Sequence, residues 1–355
     1  MSTFFHNGID NRSCDDVYSL VTSILINGLG KSETLITEYQ RITNIDISRL
    51  NHDMILYQVV RNHAYLVPSF AKLSPCHRTD VVLGIKLGAE FNFSQLAQAE
   101  NVPACLFCLK TMKGHTRAFD VRFMEQLLDI AGAGGHVDLT CGKKLMEPVF
   151  QAFKNMYDVS IGITEGKLGI REGYDVNLTR RVEHLVNVGW EKGQELDVSD
   201  PIHRALMRLL CISNSADVES ADLIHDTLFN VLSGDTRRLL VRGLNFDGSL
   251  QQPAVQAIYI PAVSSAAIGA TKSGSKAEKE KALAAAPRYL SRTLEVNIEQ
   301  PRLEGVVVIE RDIRRTIMHT LNSERFREDP DILDNLDVPS DEVAKMAEGY
   351  EWVIL

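Results

Sequence analysis

Residues 115–142, HTRAFDVRFMEQLLDIAGAGGHVDLTCG, place the strongest constraint on the fold. Phe119, Phe123, Leu127, Ile130 and Ala131 recur at helical spacing, which predicts a helix with one buried face. Gly132, Gly134 and Gly135 follow and suit the end of that helix, because glycine tolerates the left-handed backbone and lets chains approach closely. His115 precedes the helix, and His136 and Asp138 follow its end. Groups able to bind a metal or move a proton are thus set at both ends of one helix.

The rest of the chain repeats the helical pattern. DDVYSLVTSILING at 15–28 opens on acidic residues and closes on glycine; Ser32 suits the N-cap of a second helix, and Asp200-Pro201 the start of another. A helix beginning near His77 puts His77 and Asp80 on one face of its first turn. VSIGITEGKLGI alternates and is β-branched, which predicts a small β-hairpin near 159–170; VVVIE at 306–310 predicts a strand. A helix is expected from about Asp312 to Leu321, and Pro287 is expected to kink or restart an alanine-rich helix. The fold class is mainly α: multi-helical, in two lobes at 14–165 and 173–325. Residues 326–355 form an acidic tail, loosely ordered up to EWVIL.

Length and charge narrow the classes. A chain of 355 residues, 45% hydrophobic and 24% charged, can bury a sizeable core. A net charge of -9 argues against a broad footprint on nucleic acid, and Arg311, Arg314 and Arg315 read as a solvated helix face. Residues 249–271 carry no charge and are long enough to span a bilayer. Their prolines, glutamines, serines and many alanines predict instead a buried helix pair broken at Pro261, with no membrane contact. The six cysteines and an N-terminus without a basic-then-apolar leader point to free thiols in a cytoplasmic setting.

The chemistry-bearing residues gather in the first half. His52, His63, His77, His115 and His136 stand among Asp53, Asp80, Asp120, Asp129 and Asp138. Imidazole and carboxylate together suit a divalent metal that keeps water positions open and lowers the pKa of its bound water. The proposed ligands are His77, Asp80, His115 and His136. Asp129 would orient a histidine or bind the metal, and Arg117 or Lys143 would hold a phosphate. Cys105-x-x-Cys108 has the spacing of half a zinc site, with Cys76, His77, His115 and Cys141 as further donors, but reads more simply as two buried thiols on one helical turn. GAGG at 132–135 follows a helix rather than a strand, so it reads as a packing turn and not a phosphate loop.

Leu127-Leu128-Asp129-Ile130-Ala131-Gly132 resembles the surroundings of the His-Asp dyad in the HD superfamily of helical metal-dependent phosphohydrolases. Leu128 stands where that dyad's histidine would be, so His136 would have to supply the ligand. His203, then His225-Asp226, then Asp312 is similar to the same family in ligand order, without the glycine and lysine that follow its dyad. His52-Asp53 is a third dyad, with only His6 upstream. The resemblance implies a divalent metal ion and hydrolysis of a phosphorylated small molecule or nucleotide. The second class that fits is a non-catalytic helical protein binding a protein partner or an apolar ligand.

Overall fold

A helix that buries one stripe needs neighbours to cover it. The computed structural model describes residues 14–47, 50–132, 145–270, 275–296, 304–341, 343–347 and 352–354. The chain divides into two units, residues 1–93 with 108–167 and residues 94–107 with 168–355.

The first unit is helical: α1 (Cys14–Ile26), α2 (Glu33–Thr43), α3 (His52–Asn62), α4 (Pro68–Ala71), α5 (Pro75–Glu90), α6 (Phe93–Ala97, only Phe93 belonging here), α7 (Thr116–Gly132) and α8 (Glu147–Thr164). Local chemistry sets several starts. Ser32 accepts the Leu35 N–H, and Asn51 accepts the Met54 N–H, as N-caps do. α5 packs on both α3 and α7, and α1 packs on α7. Ile55, Val59, Val60, Phe70, Val81 and Ile85 are core residues. Phe93, Phe119 and Phe123 stack edge to face at 5.1–5.6 Å.

A buried arginine organises the α5–α7 contact. A Cβ at Gly88 would run into the guanidinium of Arg122, so glycine there makes room for it. Arg122 Nη1 donates to Glu125 Oε1 at 2.8 Å, and Nη2 lies 3.4 Å from Asp53 Oδ2. Ser23 Oγ donates to the other Glu125 oxygen at 2.6 Å. Burial works against the Arg122 charge, but Glu125 and Asp53 keep its pKa above the usual value.

The hairpin expected near 159–170 is not formed. Residues 159–164 are the last turns of α8; Gly166, at φ +74°, follows the helix end, and α9 begins at Ile170. Val159, Ser160, Ile163 and Thr164 are all buried and Ile161 is half-buried. A helix end covered on most sides loses the polar stripe that marks period 3.6, and the β-branched residues then read as alternation.

The second unit holds α9 (Ile170–Asn187), α10 (Pro201–Ile212), α11 (Val218–Asp226), α12 (Gly234–Asn245), β1 (Ala254–Ile258), α13 (Ile260–Ala270), α14 (Lys276–Thr293), β2 (Val306–Asp312), α15 (Arg314–Leu321), α16 (Glu324–Glu328), β3 (Val343–Met346) and β4 (Trp352–Ile354). The strands form one sheet in the order β1-β2-β3-β4. β1 and β2 are parallel, with Ala254 opposite Val308 and Ile258 opposite Asp312, while β3 and β4 run antiparallel. Arg208 is buried and satisfies three carbonyls, those of Ala99, Leu244 and Asn101, at 2.8–3.1 Å. It thereby binds segment 94–107 to α10 and α12.

Three further expectations are corrected here. The uncharged stretch contains a strand, β1, and then one helix with Pro261 in its first turn, where a missing N–H costs no hydrogen bond. Pro287 does not restart the alanine-rich helix, because it lies inside a continuous α14. The acidic tail is pinned: Arg288 reaches Asp331 at 2.5 Å and Asp334 at 3.0 Å, Arg292 takes the carbonyls of Leu333 and Leu336, and β3 extends the sheet. Arg288 of α14 pairs with the carboxylates of Asp331 and Asp334, a long-range contact that a composition argument for disorder does not weigh. Among the described residues, no helix is long and apolar enough to cross a membrane.

Candidate functional site

The start of α5 assembles a cluster of reactive side chains in the first unit. Pro75 supplies the first helical position, and Ser74 occupies the N-cap without capping through its side chain. Its hydroxyl turns elsewhere: Ser74 Oγ lies 2.6 Å from His77 Nδ1 and 3.2 Å from Cys76 Sγ. Cys76 Sγ is 3.5 Å from the same ring nitrogen. On the other side of the ring, His77 Nε2 is 3.2 Å from Asp16 Oδ1 of α1. A carboxylate accepts only, so this contact puts the ring proton on Nε2 and leaves Nδ1 to exchange protons with Ser74 and Cys76.

Arg117, from the first turn of α7, completes the cluster. Its Nε donates to Asp80 Oδ2 in a short ion pair, and Cys76 is its second partner. Burial opposes its charge, yet Asp80 and the Cys76 sulfur hold its pKa above the ordinary value. The Cys76 thiol is exposed and held below the ordinary cysteine range, first by the Ser74 hydroxyl and then by Arg117 and the His77 backbone N–H. An exposed nucleophile, a base within reach, a carboxylate orienting that base and an adjacent guanidinium form a set able to carry covalent catalysis on an anionic substrate.

Of the residues expected to form the site, His77, Asp80 and Arg117 come together here. His77 and Asp80 do so as partners of Asp16 and Arg117, so a guanidinium stands at the carboxylate where a metal cation was expected. His115 is exposed before α7, its carbonyl accepting the Phe119 N–H. Asp129 is exposed near the other end of α7 and acts electrostatically on Arg122 and Glu125. His136, Asp138, Cys141 and Lys143 lie outside the described residues. Among the described residues, no three His, Cys, Asp or Glu side chains converge as a metal site would require.

The other dyads have structural partners. His52 pairs with Asp53 at 3.4 Å, and Asp53 faces Arg122. His225 lies 3.2 Å from Asp226, whose carboxylate also meets Lys192, and its ring stacks on Phe229 at 4.7 Å. His203 Nδ1 accepts the Asp197 N–H. Asp312, expected to open a helix, is the last residue of β2. Cys105 and Cys108 are buried, and Cys105 donates to Gln256 Oε1 at 2.9 Å.

Sequence reasoning missed a second group of acids, in the second unit at the carboxyl ends of β1 and β2. Glu310 and Asp312 share one face of β2, and Glu100 Oε1 accepts the N–H of Tyr259 at 2.6 Å. Tyr259 joins β1 to α13 with φ +71°, a strained value for a residue with a side chain. Burial first, then Glu310 and Asp312, pushes Glu100 up to about 7. Burial and Asp312 push Glu310 up to about 7 as well. The β-branched run VVVIE held the signal for a strand but not for what the side chains of Glu310 and Asp312 meet.

No curated protein and no solved structure matches the chain significantly. One family model does match, over residues 1–333, and by that match the chain belongs to a family of unknown function (DUF6829).

Proposed function

We propose that this chain is a hydrolase of a small phosphate ester that works through the Cys76 thiolate. The observation that carries the reading is the Cys76–His77–Asp16 arrangement beside Arg117. The phosphorylated substrate expected from the sequence is retained, while the metal-bound hydroxide is replaced by a sulfur nucleophile.

Each group has a task. Cys76 gives its proton to His77 Nδ1, and Asp16 steadies the imidazolium through Nε2. The thiolate attacks phosphorus, the P–O ester bond breaks, and the leaving oxygen takes the proton from His77. Water then attacks the thiophosphoryl group, His77 accepts its proton, and the P–S bond breaks to return the thiolate. Arg117 neutralises the phosphoryl oxygens, its plane fixed because Asp80 holds Nε. The N-terminus of α5, a helix of 16 residues, adds a favourable field for the same anion. A reducing cytoplasm, which keeps the thiol free, suits this chemistry.

The test is hydrolysis of p-nitrophenyl phosphate and a panel of sugar phosphates and nucleotides by the purified chain. Cys76→Ser should lower turnover by roughly a thousandfold or more with helix content unchanged. Wild-type enzyme quenched during turnover should carry phosphate on Cys76 by mass spectrometry. Full activity in Cys76→Ser, or no hydrolysis of any ester by the wild type, refutes the assignment.

A further inference from the structure

Helix α1 is amphipathic the wrong way round for a helix on the surface of a lone molecule. Its inward side is Ser19, Leu20, Thr22, Ser23 and Ile26, so three of five buried positions are hydroxyl residues. Its outward side is Val17 (39% exposed), Tyr18 (45%), Val21 (45%) and Leu25 (70%). Residues 17, 21 and 25 lie one above another along the helix, with Tyr18 beside them. From Val17 to Gly30 the chain has no charged residue. A contiguous apolar stripe left in water marks an association surface far more often than scattered apolar residues do.

The ends of the stripe carry opposite charges. Asp15 is exposed before it, and Lys31 is exposed after it, at the end of the 3-10 helix Asn27–Lys31 that continues directly from α1. Neither side chain has an ion-pair partner among the described residues. The stripe is thus self-complementary when turned end for end, which is the requirement of a two-fold interface.

We propose that a second copy of this chain docks antiparallel on α1, related by a two-fold axis near residue 23. Asp15 then faces Lys31 of the partner subunit, and Val21 faces Leu25 of the partner subunit, each pair occurring twice. Tyr18 lies over Gly28 of the partner subunit, a position where even an added Cβ would meet nothing. Apolar contact supplies the affinity and the two ion pairs fix the direction. This interface is independent of the chemistry assigned to Cys76.

Sedimentation velocity on the full chain tests it, with circular dichroism as a control for folding. The wild type should sediment as a dimer. Leu25→Glu should weaken association by roughly a hundredfold. Lys31→Glu should weaken it roughly tenfold, as should Asp15→Lys, by placing like charges opposite each other. The double variant Asp15→Lys/Lys31→Glu should return to within a few-fold of the wild type. A monomeric wild type at the highest soluble concentration overturns the proposal, whether another partner or none covers the stripe. A Leu25→Glu dimer of wild-type strength does so too, and a double variant no better than the singles refutes the antiparallel pairing.

Discussion

His77 Nε2 and Asp16 Oδ1 meet at 3.2 Å across 61 residues of chain. This contact ties α1 to the start of α5 and decides which nitrogen of His77 faces Cys76. Loss of Asp16 therefore affects both packing and reactivity. Asp16→Ala should lower the unfolding free energy by about 1 kcal/mol, the worth of a half-buried polar contact. Urea denaturation measures it, and an unchanged midpoint would count against the contact.

The Cys76 thiol should alkylate with a pH midpoint below that of an ordinary cysteine. Ser74 contributes most to the lowering, so Ser74→Ala should move the midpoint upward further than Arg117→Ala does. Iodoacetamide rates read against pH by peptide mass spectrometry give the three midpoints. Equal midpoints in all three proteins would show that neither neighbour stabilises the thiolate.

Arg122 is the buried cation between Asp53 and Glu125. Removing it leaves two carboxylates facing each other away from water. Arg122→Ala should cost about 3–5 kcal/mol, while a packed apolar replacement of the whole group should cost less. Chemical denaturation separates the cases, and a loss below about 1 kcal/mol for Arg122→Ala would deny the pair its role.

Glu100 and Glu310 give stability a pH dependence of definite sign. Both carboxyls are raised from 4.5 to about 7 in the folded chain. Between those values the folded state binds more protons than the unfolded state, so stability falls as pH rises from about 4.5 to about 7 and levels off above. Each shift corresponds to the order of 3 kcal/mol. Glu310→Gln removes one group and relieves the other, so it should stabilise the protein at pH 8 and flatten the profile. Matched denaturation curves at pH 5 and pH 8 test this, and a variant that tracks the wild type at both would disprove the coupling.

The helices and their starts were legible in the chain because their causes are local. Ser32 and Asp200 cap the helices they were expected to cap, whereas α5 starts at Pro75 rather than at His77, so His77 lies in its first turn and Asp80 in its second. The mainly α fold with a small β element follows from the same short-range pattern, and 306–310 does lie in a strand. Tertiary structure decided what each side of an element meets. It turned the alternation at 159–164 into a buried helix end, made 254–258 a strand by pairing it with 308–312, and drew the acidic tail onto the arginines of α14. It also chose the partners of the candidate site. Asp16, Ser74 and Cys76 had no distinguishing spacing, and nothing in the spacing of Asp80 announced the Arg117 guanidinium as its partner. Caps and periodicity act within about one helical turn, whereas the partner of a charged side chain is set by where the fold brings another helix.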